Sequence, residues 1–300
     1  MNQLAQTGLV AADLCTTPRQ RMLWWQALVL VLLAAWLYYS ILFRLIVQWY
    51  QDPNFSHGFF VPAFSFFVLW RERSRRRNLV QKSSTWGLLI IAFSLCVLVV
   101  GVLGAELFLS RVSLLLLIAG LVIFFLGWNY FRAVLFAWSV LFLMIPVPAI
   151  IFNQVTFPLQ ILASKVAANV LPLLGVPVLR EGNIIHLAAM PLEVAEACSG
   201  IRSLLSLITL AIIYGYMIKG RPWTRFVLAL AAVPIAITAN GLRIIGTGLL
   251  VQYLDPIKAE GFFHVFSGRL MFLVSIGILF LLHQILVRVE RRRVGRGISP

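Results

Sequence analysis

The chain has 300 residues, of which 61% are hydrophobic and only 12% are charged. An average soluble domain carries about 25% charged residues, so this composition excludes an ordinary soluble fold. The net charge of +15 would suit a nucleic-acid partner, but the basic residues stand in short clusters between long apolar runs, which is typical of membrane topology signals. We therefore predict an all-α integral membrane protein with no nucleic-acid partner.

The apolar runs have the length of membrane-spanning helices, since about 20 residues cross the hydrocarbon core. They predict eight spans, at about 24–47, 55–70, 86–105, 107–127, 130–152, 201–218, 224–250 and 269–287. A tight turn near Glu106 joins the third span to the fourth. The segment 1–23 lacks the charged start of a secretory signal, so we expect a short tail and not a cleaved signal peptide.

The basic residues orient this map of spans. Most of the 25 lysines and arginines fall in five segments, at 1–23, 71–82, 128–132, 219–225 and 288–300. The positive-inside rule places these segments, and therefore both termini, in the cytoplasm. An odd number of spans would put Arg71–Arg77 and Arg291–Arg293 on opposite sides of the membrane, which favours an even number.

The longest stretch between spans, 153–200, is predicted to form a small platform on the outer face. Residues 159–174 are typical of an amphipathic helix that lies along the membrane interface. Residues 176–187 favour a β-hairpin that turns at Glu181-Gly182. We expect the chain, 1–300, to form a single polytopic membrane domain in which this platform leads directly into the sixth span.

A cysteine stands at the predicted start of the sixth span. Cys198 lies in the block Glu196-Ala-Cys-Ser-Gly-Ile-Arg202, where the positive end of the helix dipole would favour its thiolate. Arg202, one turn further along the same face, would strengthen that effect, and Glu196 could orient a neighbouring histidine or arginine. The same block also fits a tight buried turn without any chemistry, so this motif alone leaves both interpretations open.

Arg243 in the seventh span is the second candidate. It stands seven residues before the predicted outer end, about 10 Å below the membrane surface. A charge at that depth costs at least ~2.5 kcal/mol, which favours a functional or pairing role over simple snorkelling to the interface. Asn240 shares its helix face. His264 directly precedes the eighth span on the outer side, while His57 is a serious competitor and His186 a weaker one.

A thiol, a guanidinium and an imidazole thus approach the same face of the membrane. Attack of a thiolate on a carbonyl needs a base or counter-cation and a donor for the oxyanion. Cys198, His264 and Arg243 can fill these roles. No Cys/His spacing fits a metal site, and no phosphate-loop or serine-hydrolase motif occurs, so we expect neither a metal nor a cofactor.

The chain resembles the exosortases, members of the exosortase/archaeosortase group of membrane cysteine transpeptidases. The likeness extends over nearly the whole chain and rests on a series of short blocks: Asp52-Pro-Asn-Phe-Ser-His-Gly58 with Val61-Pro62, Met144-Ile-Pro-Val-Pro148, Gly175-Val-Pro-Val-Leu-Arg180, Glu196-Ala-Cys-Ser-Gly-Ile-Arg-Ser203, Asn240-Gly-Leu-Arg243 and His264-Val-Phe-Ser-Gly268. No single block is specific. The cysteine block, the Asn-x-x-Arg block and the following histidine, in this order and spacing, are specific together.

This resemblance implies a Cys-Arg-His active site at Cys198, Arg243 and His264, similar to that of the unrelated sortases. It also implies substrates that are exported proteins with a C-terminal sorting signal, made of a Pro-Glu-Pro motif, a transmembrane helix and a basic tail. The enzyme would cut near the motif at the periplasmic face of the bacterial inner membrane and pass the protein to a surface acceptor. Such systems are linked to exopolysaccharide machinery and biofilm.

Two other functions stay open. A non-enzymatic transporter or exopolysaccharide-export component would use Arg243 as a substrate or ion contact, and would tolerate the loss of Cys198 and His264. An acyltransferase that uses His264 would not need Cys198.

Overall fold

The structure is a computed structural model that describes residues 18–194, 200–218, 222–253 and 262–295. These residues are mostly helical. The helices are α1 (Pro18–Gln51), α2 (Phe60–Arg71), α3 (Arg73–Arg77), α4 (Trp86–Leu103), α5 (Leu107–Leu126), α6 (Trp128–Val140), α7 (Ala149–Val170), α8 (Gly200–Met217), α9 (Pro222–Tyr253) and α10 (Phe262–Gly295). Three short 3-10 segments occur at Pro53–Phe59, Leu141–Met144 and Pro172–Leu174, and three short strands are β1 (Leu179–Glu181), β2 (Ile184–His186) and β3 (Pro191–Glu193).

Six helical segments in the described part of the chain are long and apolar enough to cross a membrane: Leu28–Gln51, Trp86–Leu103, Leu107–Leu126, Ala149–Leu174, Pro222–Tyr253 and Gly268–Glu290. Trp128–Met144 and Ser203–Met217 are shorter apolar helices. In hydrocarbon a helix satisfies its own backbone hydrogen bonds, which is why such runs are helical. The protein is therefore a multi-pass helical membrane protein, while the count of eight spans with cytoplasmic termini stays a prediction.

Two predicted spans differ from the structure in their boundaries. The span predicted at 55–70 begins as the 3-10 turn Pro53–Phe59 and becomes α-helical only at Phe60. Asp52 caps that turn by accepting a hydrogen bond from the Asn54 backbone N–H at 2.9 Å. A single helix over 130–152 is wrong, because the chain leaves the helical conformation at 145–148, where two prolines stand.

The structure confirms one part of the predicted platform and corrects another. Helix α7 runs unbroken from Ala149 to Val170, so the predicted start of a helix at residue 159 is wrong. The hairpin predicted within 176–187 is confirmed, with Glu181 paired to Ile184 across the turn that holds Gly182. The sequence analysis missed the third strand, β3, which pairs antiparallel to β2. Its three residues begin with a proline and are too few to show an alternating pattern.

The chain divides between Val47 and Gln48 into two compact units. The first unit contains most of α1, with large apolar side chains such as Trp25 and Trp36 exposed along it. The second unit contains the remaining helices, the sheet and the candidate site. Within it, α4 packs against α5, while α9 packs against both α8 and α10.

Helices α4 and α5 form a hairpin with backbone-level contact between its two arms. A Cβ atom on Gly87 would lie 2.6 Å from Phe124 Cα, and one on Gly120 would lie 2.8 Å from Ile91 Cγ1. Glycines at such positions allow membrane helices to approach closely and gain van der Waals contact. Glu106 caps α5 by accepting a hydrogen bond from a backbone N–H at 3.1 Å, which confirms the predicted tight turn.

The basic segments of the predicted cytoplasmic side meet at one end of the second unit. Three contacts join them: the Tyr216 hydroxyl donates to Glu72 at 2.7 Å, the Thr224 hydroxyl donates to Glu290 at 2.5 Å, and the Arg76 guanidinium lies 6.0 Å from the centre of the Tyr130 ring. We call the described residues of 71–82, 127–132, 216–225 and 288–290 the basic end. Their grouping agrees with the assignment of these segments to one side of the membrane.

We expect Gly87→Ala to destabilise the protein by about 1–3 kcal/mol, the usual cost of an extra methyl group in a close-packed region. The backbone of Phe124 stands in its way and cannot rotate aside as a flexible side chain would. In Gly246→Ala, the matched control in α9, the added carbon meets no atom within 4 Å. That control should be neutral or gain up to about 1 kcal/mol of helix propensity. Unfolding of both variants in the same detergent measures the difference, and equal stabilities would contradict the packing described.

Candidate active site

The candidate site lies where α8, α9 and α10 pack together. Their common core is formed by apolar side chains of all three helices: Leu204, Leu207, Ala211, Leu228, Ala232, Ala236 and Leu279. Thr224 contacts Glu290 at one end of α9, and Arg243 contacts Gly268 further along it, so α9 and α10 run antiparallel. This packing fixes which residues of the three helices lie at the same level.

The start of α8 lies at the same height along the helix axes as the Asn-x-x-Arg block of α9. A Cβ on Gly215, near the end of α8, would stand 3.5 Å from the Cβ of Arg225, near the start of α9. Both helices rise about 1.5 Å per residue in opposite directions. Going back along α8 to Gly200 therefore corresponds to going forward along α9 to about Asn240. The helix that follows the cysteine block thus begins beside the Asn-x-x-Arg block.

Arg243 is a buried side chain of α9. It belongs to α9 inside a segment long enough to span the membrane, and only 4% of its surface is exposed. Its Nη1 atom lies 3.3 Å from the position that a Cβ on Gly268 would occupy, so the guanidinium packs against the backbone of α10. The Thr247 hydroxyl donates to the Arg243 carbonyl at 2.9 Å. The prediction of an intramembrane, buried Arg243 agrees with this geometry.

Position 264 lies in the first turn of α10, one turn before Gly268. Residues four apart share a helix face, so position 264 lies on the face of α10 that Arg243 contacts. The side chain of His264 is outside the described part of the chain. The backbone nevertheless brings the arginine block and the histidine block to one helix interface.

Two of the predicted site residues, Glu196 and Cys198, lie outside the described residues. The chain on either side of them is described. Val194 is fully buried in an apolar cluster with Ile244 and Val251 of α9, and Gly200 opens α8. Only five residues separate these two flanks along the chain.

The supporting residues Asn240 and Arg202 lie on two different helices. Asn240 stands one turn before Arg243 on the same face of α9 and is half-buried. Arg202 belongs to the first turn of α8, and its side chain is outside the described set. Both positions therefore lie at about the height along the helix axes at which α8 begins.

His57 holds two parts of the fold together. Its Nε2 atom lies 3.2 Å from the Leu143 carbonyl oxygen, and the nearby Trp49 indole N–H donates to the Met144 carbonyl at 2.9 Å. A Cβ on Gly58 would lie 2.6 Å from Cε2 of Trp49. The block Asp52–Gly58 and the start of the block Met144–Pro148 are therefore one packed unit. A structural role for His57 follows, beside a turn that also contacts α8.

His186 is engaged within the sheet. Its Nε2 atom lies 3.4 Å from the Glu181 carboxylate across the hairpin. Among the described residues, no group of three or more His, Cys, Asp or Glu side chains could hold a metal ion.

Gly268 is a site residue whose role the sequence analysis missed. It appeared there only as the last member of the block His264–Gly268. The available signal was its spacing of four residues from His264, which puts both on one helix face. That Arg243 lies against it could not be read from the sequence, because the contact joins two different helices.

The fold and the site define a multi-pass helical membrane protein with a buried arginine at the contact of α9 with α10. Residues 49–281, about three quarters of the chain, match the sequence model of the transmembrane exosortases. The chain belongs to the transmembrane exosortase family. Neither the curated proteins nor the solved structures compared with the chain gave a match.

The environment of His57 predicts a pH dependence of stability. Burial lowers the pKa of His57 from its ordinary value of 6.5, against the opposing effect of backbone hydrogen bonds with Leu143 and Asn54. Below about pH 6.5 the unfolded chain therefore binds more protons at this residue than the folded protein does. The stability that depends on a neutral His57 is present above that pH and is lost as the pH falls.

We expect His57→Gln to lose less stability than the wild type between about pH 7.5 and pH 5.5, since an amide does not titrate there. The glutamine N–H can still donate to the Leu143 carbonyl. Thermal unfolding in one detergent at several pH values measures this. Identical pH dependence in the two proteins would contradict the assignment.

Proposed function

We propose that the protein is a membrane cysteine transpeptidase that cleaves the C-terminal sorting signal of exported proteins and passes them to a surface acceptor. Membership of the exosortase family supports membrane-associated processing of exported proteins. The observation that carries the proposal is the position of Arg243, a buried guanidinium against α10 and level with the start of α8. The signal would consist of a Pro-Glu-Pro motif, a transmembrane helix and a basic tail.

In this mechanism the Cys198 thiolate attacks the scissile carbonyl, and Arg243 donates hydrogen bonds to the oxyanion that forms. His264 gives a proton to the leaving amine, and the peptide C–N bond breaks to leave a thioester on Cys198. His264 then removes a proton from the incoming nucleophile, which attacks the thioester and frees the thiolate. Glu196, Arg202 and Asn240 would support these three residues.

The three helix segments that carry these residues lie at a similar height along the helix axes, which supports this division of roles. The segment that holds Cys198 ends at Gly200, which lies level with about Asn240 of α9. Position 264 lies on the face of α10 that Arg243 contacts. The cysteine block, Arg243 and position 264 are thus attached to the same end of a three-helix unit.

The burial of Arg243 suits the stabilisation of a negative charge. A guanidinium stays protonated under all ordinary conditions and presents several N–H donors in one plane. In a water-poor environment its attraction for an oxyanion is stronger than at a solvated surface. The cost of keeping this cation within a spanning helix is a reason to expect a functional role.

We assign the site to the outer, periplasmic side of the bacterial inner membrane. The basic end lies at the opposite ends of α8, α9 and α10 from the site, so the positive-inside rule would put it in the cytoplasm. The tail 288–300 would then be cytoplasmic, as the tail 1–23 would be with eight spans, and the sheet would cover the outer side. The substrate's basic tail would share the side of the basic end, and exopolysaccharide machinery is a candidate partner.

The proposal requires the thiol of Cys198. We expect Cys198→Ala to insert normally and to leave a co-produced substrate with the sorting signal uncut, a loss of at least about a thousandfold because no other nucleophile is provided. Cys96→Ala is the matched control, since Cys96 is exposed on α4. Immunoblotting of substrate length measures both variants. Normal processing by Cys198→Ala would refute the proposal.

A substrate peptide with a thiol-reactive group would distinguish the other functions. Trapping on Cys198 that requires Arg243 and His264 supports the transpeptidase. A transporter would need Arg243 and tolerate the loss of Cys198 and His264. An acyltransferase would need His264 and show no need for Cys198.

The contact between Arg243 and α10 generates a further prediction. Gly268→Ala would place a methyl group 3.3 Å from Arg243 Nη1, which is closer than ordinary van der Waals contact. The guanidinium would have to move by a few tenths of an ångström or more. We expect processing to fall by about 10- to 100-fold with little change in substrate affinity, because misplacement of a stabilising group acts on the chemical step.

Gly277→Ala is the matched control for this prediction. It lies two and a half turns further along the same helix, and its added carbon would meet no atom within 4 Å. Processing by this variant should equal that of the wild type. Equal losses in the two variants would show that the effect arises from helix α10 as a whole and not from the contact with Arg243.

A further inference from the structure

A cavity at the basic end lies far along the chain from the residues of the candidate site. Its volume is about 180 Å³, and its walls come from the loop before α4, the end of α5 and the start of α6. The lining residues are Val80, Lys82, Ser83, Ser84, Leu126, Trp128 and Asn129. All of them belong to the second compact unit.

A close backbone contact lies beside the cavity. Gly127 adopts a φ of +87°, in the region that favours glycine, and a Cβ there would collide with the Lys82 carbonyl oxygen. The loop backbone thus rests directly on the corner between α5 and α6. A side chain at position 127 would push the loop away, so this glycine lets the loop lie against the corner whose residues Leu126 and Trp128 line the cavity.

The lining combines donors for an anion with an apolar wall. Lys82 supplies a cation, Ser83 and Ser84 supply hydroxyls, and Asn129 supplies an amide, without any acidic residue among them. Val80, Leu126 and Trp128 supply apolar surface. A ligand that fits this lining has an anionic, oxygen-rich group attached to an apolar body.

The surroundings add positive charge. The Arg132 guanidinium lies 6.0 Å from the ring of Trp128, which lines the cavity, and the Arg76 guanidinium lies 6.0 Å from the Tyr130 ring on the same helix. The two acidic residues described at this end, Glu72 and Glu290, accept hydrogen bonds from Tyr216 and Thr224.

The ends of three apolar helices surround the cavity. The apolar helix Trp86–Leu103 begins beside it, the apolar helix Leu107–Leu126 ends in it, and Trp128 begins the next apolar helix. Tryptophans and tyrosines concentrate at such helix ends because their rings suit the membrane–water interface. Basic residues there attract anionic lipids.

We propose that this cavity binds the phosphate headgroup of an anionic phospholipid, with Lys82 as its main charged contact. The hydroxyls of Ser83 and Ser84 and the amide of Asn129 donate to the headgroup oxygens. Trp128 and Leu126 contact the glycerol and the upper acyl chain. The site is independent of the proposed transpeptidase chemistry, since none of its residues belongs to the candidate active site.

The test uses the full-length protein in a mild non-ionic detergent with added phosphatidylglycerol or phosphatidylcholine, and native mass spectrometry counts the lipids retained. We expect phosphatidylglycerol to be retained in preference, and Lys82→Ala to lower its affinity about fivefold, the usual effect of one basic residue near anionic lipid. Lys165→Ala, an exposed lysine on α7, is the matched control and should retain wild-type binding.

Asn129→Asp provides a second variant at an exposed position of the cavity, in case Lys82→Ala folds poorly. Its added negative charge should weaken phosphatidylglycerol binding and leave phosphatidylcholine unaffected. Equal retention of the two lipids by the wild type would overturn the proposal. So would unchanged phosphatidylglycerol binding in both variants, or its displacement by millimolar inorganic phosphate, since the latter would assign the cavity to a free anion.

Discussion

The burial of one guanidinium between two membrane helices is the constraint on which the site depends. Arg243 is only 4% exposed and packs against the backbone of α10 at Gly268. Charged residues in membrane-spanning helices are rare and face the interior of the helix bundle, as this one does. This contact also fixes the level of α10 against α9, and with it the level of the histidine block.

The two ends of the second unit have different chemistry. At the basic end, polar hydrogen bonds such as Tyr216 to Glu72 and Thr224 to Glu290 join segments that are far apart in sequence. At the other end, an apolar cluster joins α7, the sheet and α9, with Val194, Ile244 and Val251 fully or almost fully buried. The arginine lies next to this second cluster. The candidate site and the basic end therefore lie at opposite ends of the same helices.

The blocks that carried the family resemblance have different structural roles. The block Asp52–Gly58 and the segment Leu141–Met144 contact each other through His57 and Trp49, so they brace the fold. The block Asn240–Arg243 places a buried cation at the helix contact. A histidine in such a series can therefore join parts of the fold, as His57 does.

The sequence by itself determined the class of protein, the helical runs, the hairpin at Glu181-Gly182 and the candidate residues, because hydrophobicity, charge and turn chemistry are local properties. It failed at 145–148, where prolines end a helix inside an apolar run, and at the start of α7, since periodicity does not mark where a continuous apolar stretch begins a new helix. The tertiary structure alone decided that Arg243 meets Gly268, that Gly200 lies level with about Asn240 and that a cavity forms beside Lys82. These facts depend on which helices pack together, and packing joins residues whose separation along the chain carries no local signal.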